Sequence, residues 1–134
     1  MSIPARLHPG IVIVDDNRVV REAIVQLLEE HQLSVWKQAD RAAEALACVI
    51  QEQPDLAVVD LSLEGSLPLV TALRDQGIPV VVCSSQEGPE YAKKALAAGA
   101  RAYVAKRDVG QALVRTIHDV LEGWVLISPR AADE

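Results

Sequence analysis

Four short apolar runs in this chain end directly on residues with charged or polar side chains. The runs are IVIV, LAVV, PVVVC and YVA, and they start at residues 11, 56, 79 and 103. Such runs are typical of strands in a parallel sheet covered on both faces, and these sheets bind ligands at the carboxyl ends of their strands. Three carboxylates, a hydroxyl and an ammonium follow the runs, on Asp15, Asp16, Asp60, Ser84 and Lys106. If the runs share one sheet, we expect these groups to meet at one edge.

Between the runs, apolar residues recur at a spacing of three to four positions, which predicts helices. The first predicted helix begins at an Asn17 cap and reaches about His31. A short strand over residues 33–36 precedes a second helix, which Asp40 caps and Pro54 stops.

The same pattern predicts three further helices. One covers residues 67–74, the next starts with Pro89 in its first turn and ends at a Gly99 cap, and the last runs from an Asp108 cap to Gly123. Strands therefore alternate with helices, which implies right-handed crossovers between parallel strands. The predicted fold is a doubly wound α/β sandwich with a five-stranded parallel sheet.

The length of 134 residues fits one domain. We expect residues 1–10 to form a flexible lead-in without the features of a signal peptide, residues 11–123 to form the domain, and residues 124–134 to form a tail or linker stub. The net charge of −6 and the presence of only two tryptophans, two tyrosines and no phenylalanine argue against direct nucleic-acid binding, which needs a basic face or stacking aromatics.

The cysteines and the hydropathy pattern suggest a cytoplasmic protein. Cys48 and Cys83 lie inside apolar stretches, so we predict reduced core residues rather than a disulfide. The chain has no apolar run of about 18 residues, so no membrane span is predicted.

The cluster of acids expected at the sheet edge suggests a metal site. Asp15, Asp16 and Asp60 would repel one another unless a cation lay among them, and all-oxygen ligands select a hard ion such as Mg²⁺. One carboxylate could then attack phosphorus, while Lys106 and Ser84 contact phosphoryl oxygens. Each residue alone also fits an ordinary role as a helix cap or a solvated group. Their joint placement at successive strand ends favours the site.

These residues resemble the receiver domain of two-component response regulators over about residues 11–122. The motifs that carry the resemblance are the acidic pair in IVIVDDN, the acceptor in DLAVVDLS, the hydroxyl in PVVVCSS and the lysine in GARAYVAK. The resemblance implies the flavodoxin-like (βα)5 sandwich of that family. It also implies that Asp60 is the phosphoacceptor and that Asp16, Asp60 and the backbone carbonyl of Ser62 hold Mg²⁺, with Asp15 acting mainly through water.

The resemblance further implies roles for the groups on the other side of the pocket. Ser84 and Lys106 would contact the phosphoryl group. Tyr103 would swing inward when Ser84 moves toward the phosphate, and so couple the chemistry to the surface formed by the fourth helix, the fifth strand and the fifth helix. The alternative for Tyr103 is a half-buried aromatic on an outer strand.

Several features depart from the usual family pattern. The loop over residues 61–66 looks about two residues short, Arg107 replaces the proline that often follows the lysine, and Ser85 replaces a smaller residue. The missing proline and the sequence after Gly123 resemble receivers that precede LuxR-type DNA-binding domains. The chain is then an isolated receiver, a truncated piece or a natural single-domain regulator.

The leading functional hypothesis is a signalling switch that takes a phosphoryl group on Asp60 from a sensor histidine kinase or a phosphotransfer protein. Such a switch is not an enzyme beyond slow autodephosphorylation. One alternative is an atypical receiver that binds proteins without phosphorylation. A small phosphatase with an aspartyl nucleophile is disfavoured, because Leu61 and Ser62 follow Asp60 where such enzymes have Asp-x-Asp. Homodimerisation through the last helix is a further expectation that stays open.

Overall fold

The central strands of the sheet consist of small and β-branched apolar residues because helices cover both faces. The structure is a computed structural model that describes residues 8–86, 88–123 and 126–127. The strands are β1 (Gly10–Val14), β2 (Ser34–Ala39), β3 (Leu56–Asp60), β4 (Val80–Ser84), β5 (Ala102–Ala105) and β6 (Leu126–Ile127). They form one parallel sheet in the order β2-β1-β3-β4-β5-β6.

The helices connect successive strands. They are α1 (Arg18–Glu30), α2 (Ala42–Glu52), α3 (Ser66–Asp75), α4 (Pro89–Ala98) and α5 (Val114–Leu121). A 3₁₀ turn (Lys106–Asp108) and a π-helical turn (Val109–Leu113) lead from β5 into α5. No helix in the described part of the chain is long and apolar enough to cross a membrane.

Alternate residues of the four central strands, β1, β3, β4 and β5, fill two separate cores. Val12 and Val14 of β1 pack into one core with residues of α2, α3 and α4, whereas Ile11 and Ile13 pack into the other with α1 and α5. The alternation explains why the strands read as continuous apolar runs, since every second side chain faces each core. The predicted doubly wound α/β sandwich with five parallel strands is confirmed.

Local signals at several element ends are also confirmed. The Asn17 side chain accepts a hydrogen bond from the Val20 backbone N–H at 3.1 Å and caps α1. Pro89 lies in the first turn of α4, and Gly99 ends that helix in the left-handed conformation. Both cysteines are free and buried, as predicted.

Two predicted caps were wrong. The N-cap of α2 is Arg41, one residue beyond Asp40, because β2 continues to Ala39 and the extended backbone passes through Arg41 (φ −144°, ψ 150°). Asp108 does precede the helical turn that begins at Val109 and leads into α5, but its backbone angles are helical (φ −97°, ψ 0°) and its side chain makes no capping hydrogen bond. An extended backbone is what lets a capping side chain reach back to the first turn.

The segment after Gly123 also differs from the expectation of a tail without a partner. Leu126 and Ile127 pair in parallel with Ala102 and Tyr103, so the five predicted strands gain a short sixth strand beside β5. Residues 1–7 of the predicted lead-in and residues 124, 125 and 128–134 of the predicted tail lie outside the described residues. The domain boundaries therefore stay predictions.

A matched pair of glycine substitutions tests the end of α4. In Gly99→Ala, the new Cβ would lie 2.6 Å from Arg74 Cδ, and the backbone φ of +119° is strained for any side chain. We expect a loss of about 1–3 kcal/mol in the free energy of unfolding. In Gly110→Ala, no atom lies within 4 Å of the new Cβ, so the protein should be unchanged or more stable by up to about 1 kcal/mol. Urea unfolding measures both, and equal effects would contradict this account of Gly99.

Candidate functional site

The topology brings the predicted site residues to one edge of the sheet. β3 lies between β1 and β4, with Val14 opposite Val59 and Asp60 opposite Cys83. Asp15 directly follows β1, and Ser84 ends β4 opposite Ala105, the residue before Lys106. The carboxyl ends of the four central strands therefore carry the groups that the sequence singled out.

The three carboxylates form a compact cluster. Each of Asp15, Asp16 and Asp60 offers one oxygen, and these oxygens lie within 4.8 Å of one another. Asp15 and Asp60 are only 2% exposed, whereas Asp16 is exposed. The pocket therefore has two buried acids at its base and one acid at its opening.

Lys106 joins the two buried acids. Its Nζ lies 2.9 Å from Asp15 Oδ2 and 3.3 Å from Asp60 Oδ1. Burial by itself lowers the pKa of the Lys106 ammonium, but the hydrogen bond to Asp15 and the charges of Asp60 and Asp15 outweigh burial, so the pKa is raised. The lysine is therefore charged at neutral pH and lies against two of the three carboxylates.

Neighbouring polar groups hold the oxygens of the two buried acids. Asp15 Oδ1 accepts a hydrogen bond from the Asn17 backbone N–H at 2.8 Å. Ser62 contributes twice to Asp60, since its backbone N–H donates to Oδ1 at 3.2 Å and its hydroxyl donates to Oδ2 at 2.9 Å. The sequence had suggested only the backbone carbonyl of Ser62, and that role stays a prediction. A serine two residues after a strand-end aspartate was the signal for the missed hydroxyl contact.

The short loop after Asp60 closes on itself. The Ser66 hydroxyl donates to the Leu61 carbonyl at 2.5 Å, and the Leu63 side chain is buried beneath the loop. Gly65 takes up the left-handed conformation (φ +79°) just before α3, which a residue with a side chain adopts only with strain. The loop is short but ordered by its own hydrogen bonds, so it holds Ser62 against Asp60.

Ser84 and Tyr103 are connected through the backbone of Gln86. The Gln86 N–H donates to Ser84 Oγ at 2.9 Å, and the Tyr103 hydroxyl donates to the Gln86 carbonyl at 2.6 Å. The Tyr103 side chain is fully buried, so the alternative of a half-buried outer aromatic was wrong. The reason is that α4 packs over this face of β5 and Tyr103 belongs to its core. No sequence signal pointed to Gln86, because it contributes only backbone atoms.

The donor set fits a hard divalent cation. Three carboxylates against one ammonium leave an excess of negative charge within a few ångströms, which is costly where two of the acids are buried. Oxygen ligands with one open side suit Mg²⁺, which retains several of its waters. The neighbouring Cys83 thiol packs into the apolar core beside α1 and α5, and burial above all raises its pKa to about 12.

The chain is similar to known proteins over most of its length. The family model described as "Response regulator receiver domain" matches residues 11–118. DNA-binding transcriptional activator DevR/DosR of Mycobacterium tuberculosis is 35% identical over 129 residues, which covers 91% of this chain and 58% of that protein. The chain thus spans little more than half the length of this curated relative.

Solved structures show the same architecture. A two-component response regulator of the LuxR family from Aurantimonas sp. SI85-9A1 superposes with a TM-score of 0.86 at 31% identity, covering 91% of each chain. The signal receiver domain of the response regulator NarL from Mycobacterium tuberculosis gives a TM-score of 0.80 at 26% identity, covering 87% of this chain and 98% of that one. The LuxR-type resemblance expected from the sequence is thereby confirmed.

Replacing Lys106 tests the charge balance of the pocket. Lys106→Met keeps the length of the side chain but leaves two buried carboxylates without their shared cation, so in chelator we expect a loss of about 2 kcal/mol or more in the free energy of unfolding. Adding Asp60→Asn to that variant should restore part of the loss. Lys94→Met on the exposed face of α4 is the matched control and should stay within about 0.5 kcal/mol of wild type. Urea unfolding that gave both lysine variants the same stability would contradict this account.

Proposed function

This chain belongs to the family of response regulator receiver domains, and on that premise we propose that it works as a Mg²⁺-dependent phosphoacceptor switch. The observation that carries the proposal is the environment of Asp60. This buried carboxylate ends a central strand, lies 3.3 Å from the Lys106 ammonium and shares a three-acid cluster with Asp15 and Asp16. We propose Asp60 as the phosphoacceptor.

The proposed reaction is phosphoryl transfer from phosphohistidine on a sensor histidine kinase or a phosphotransfer protein. An Asp60 carboxylate oxygen forms the new P–O bond, and the P–N bond of the donor breaks. The electron pair of that bond leaves with the imidazole, which takes up a proton from water. The product is an acyl phosphate on Asp60, a signalling state rather than an intermediate in turnover, so the proposal describes a switch and not an enzyme.

In this proposal, a bound Mg²⁺ and Lys106 together offset the negative charge of the incoming phosphoryl group. Asp16, Asp60 and the backbone carbonyl of Ser62 would hold Mg²⁺ and Asp15 would act mainly through water, and the metal when bound would offset negative charge on the phosphoryl group. Lys106 would move its ammonium from the Asp60 carboxylate to the phosphoryl oxygens. It is one-fifth exposed and attached by a long flexible side chain, which supports such a movement.

Ser84 and Tyr103 would carry the change beyond the pocket. The Ser84 hydroxyl accepts the Gln86 N–H and keeps its own proton to donate to a phosphoryl oxygen, so a shift of Ser84 toward the phosphate would displace Gln86. The Gln86 carbonyl accepts a hydrogen bond from the Tyr103 hydroxyl, so a movement of Gln86 would displace the Tyr103 side chain on β5. We propose that partner proteins, or a second copy of the chain, bind the surface formed by α4, β5 and α5 and respond to this change.

The longer relatives suggest where the signal goes. DevR/DosR is described as a DNA-binding transcriptional activator, and the chain covers 58% of it. We propose that the receiver acts on a partner or on an attached output domain, and that it does not bind nucleic acid by itself. The net charge of −6 supports this division of labour.

Substitution of Asp60 tests the phosphoacceptor. Asp60→Asn removes the nucleophilic oxygen with little change in shape, so it should abolish the gain of one phosphoryl group when the protein is incubated with acetyl phosphate and Mg²⁺. Intact-protein mass measures the gain, and wild type in chelator should show none. Asp75→Asn, an exposed acid at the end of α3, is the control and should label like wild type.

The labelling experiment also distinguishes the alternatives. A labelled Asp60→Asn protein would place the acceptor on another residue. Folded wild-type protein that gained no phosphoryl group under any condition would favour the protein-binding module, and would make the Ser62 hydroxyl on Asp60 Oδ2 the first contact to remove.

A pair of adjacent serines tests the hydroxyl at the end of β4. Ser84→Ala removes a buried hydroxyl from the pocket, and we expect the rate of phosphoryl gain to fall about tenfold or more. Ser85→Ala removes the same group from the neighbouring exposed position and should change the rate by less than about twofold. The rates come from time courses of intact mass, and equal rates for the two variants would exclude a role of Ser84 in transfer.

A further inference from the structure

Arg21 contacts the acidic pocket from outside, through the main chain. It lies in the first turn of α1, and its Nη1 donates to the backbone carbonyl of Asp15 at 2.7 Å. Its Nε donates to the Gln38 side-chain oxygen on β2 at 3.3 Å. The guanidinium therefore braces the end of β1 against the edge strand.

This contact completes the fixation of Asp15. The Asp15 N–H donates to the Ala39 carbonyl at 3.0 Å, and the two carboxylate oxygens face the Asn17 N–H and the Lys106 ammonium. The carbonyl lies beyond the last residue of β1, and Arg21 supplies its hydrogen bond. Every polar group of Asp15 is thus held, and so is the plane of the peptide that joins it to the next residue.

The next residue is Asp16, the exposed member of the acid cluster. An exposed carboxylate is not confined by packing, so the orientation of its backbone decides whether it faces Asp15 and Asp60 or turns into solvent. A peptide plane held by Arg21 directs the Asp16 side chain toward the other two acids. Groups that orient a metal ligand typically contribute tenfold or more to metal affinity.

We propose that Arg21 is a positioning residue for divalent-cation binding, because it fixes the Asp15–Asp16 peptide and so aims the Asp16 carboxylate at the site. The inference rests on the proposed Mg²⁺ site of the phosphoacceptor. It assigns to α1 a part in building the pocket.

The direction of the change in Mg²⁺ affinity distinguishes a positioning role of Arg21 from an effect of its charge. A guanidinium near the acid cluster repels Mg²⁺, so loss of its charge alone should tighten Mg²⁺ binding. Loss of its hydrogen bond to the Asp15 carbonyl should weaken binding. The two explanations therefore predict opposite changes for the same substitution.

The test measures the Kd for MgCl₂ by isothermal titration calorimetry on the full chain, without a phosphodonor. Arg21→Met should raise the Kd about tenfold. Arg18→Met is the matched control, because Arg18 lies on the same helix, pairs with exposed Glu22 at 3.0 Å and carries the same charge. Its Kd should be unchanged or slightly lower than that of wild type.

Two more variants refine the result. Arg21→Lys keeps the charge and can donate to the Asp15 carbonyl without the planar fork that also reaches Gln38, so its Kd should lie between those of wild type and Arg21→Met. Gln38→Ala removes only the outer brace and should raise the Kd less than Arg21→Met does. If Arg21→Met fails to fold by circular dichroism, these two variants decide the question.

An unchanged or lower Kd in Arg21→Met would overturn the inference, and so would an equal rise of the Kd in Arg18→Met. If Arg21→Met does not fold, a wild-type Kd in both Arg21→Lys and Gln38→Ala would overturn it. Wild-type protein that binds no Mg²⁺ would overturn it as well. Wild-type protein that binds Mg²⁺ but gains no phosphoryl group from acetyl phosphate would refute the proposed function alone. At saturating Mg²⁺, phosphoryl gain in Arg21→Met should return to within about twofold of wild type, since the residue acts on cation binding and does not touch the phosphoryl group.

Discussion

The ion pairs of Lys106 with Asp15 and Asp60 are the interaction on which the rest of the site depends. Two nearly buried carboxylates at the ends of adjacent central strands would repel each other without a shared cation, and Lys106 from β5 supplies it across β4. One ammonium cannot neutralise three acids, so the pocket keeps an excess of negative charge. That excess is compatible with folding because Asp16, the third acid, lies at the exposed opening. It would also favour the binding of a further cation, as proposed for Mg²⁺.

Two sets of hydrogen bonds lead away from this pocket in opposite directions. On one side, Arg21 connects the Asp15 carbonyl to Gln38 on the edge strand β2. On the other side, Gln86 connects Ser84 to Tyr103 on β5. Both connections run through backbone atoms, whose directions are set by the strands that precede them. Hydrogen bonds therefore connect the pocket to strands on both sides of the sheet.

The sixth strand lies at the far end of the second connection. Ile127 pairs with Tyr103 through the main chain, so the residue whose hydroxyl contacts Gln86 also contacts the segment that follows α5. In a relative such as DevR/DosR, of which this chain covers 58%, further sequence accounts for the remaining length. The pairing places the segment after α5 next to Tyr103, the residue that is proposed to respond to changes in the pocket.

The sequence alone determined the order of the strands and helices, the acids at the strand ends and the caps at Asn17 and Gly99. Each of these depends on local preferences or on a repeated pattern of burial, which a linear sequence records. The tertiary structure decided the caps at Asp40 and Asp108, where the lengths of β2 and of the 3₁₀ turn shifted the helix starts. It also decided the contacts of Arg21 and Gln86 and the full burial of Tyr103. Their contacts run largely through main-chain atoms, which are the same in every residue type, so no sequence pattern could have marked them.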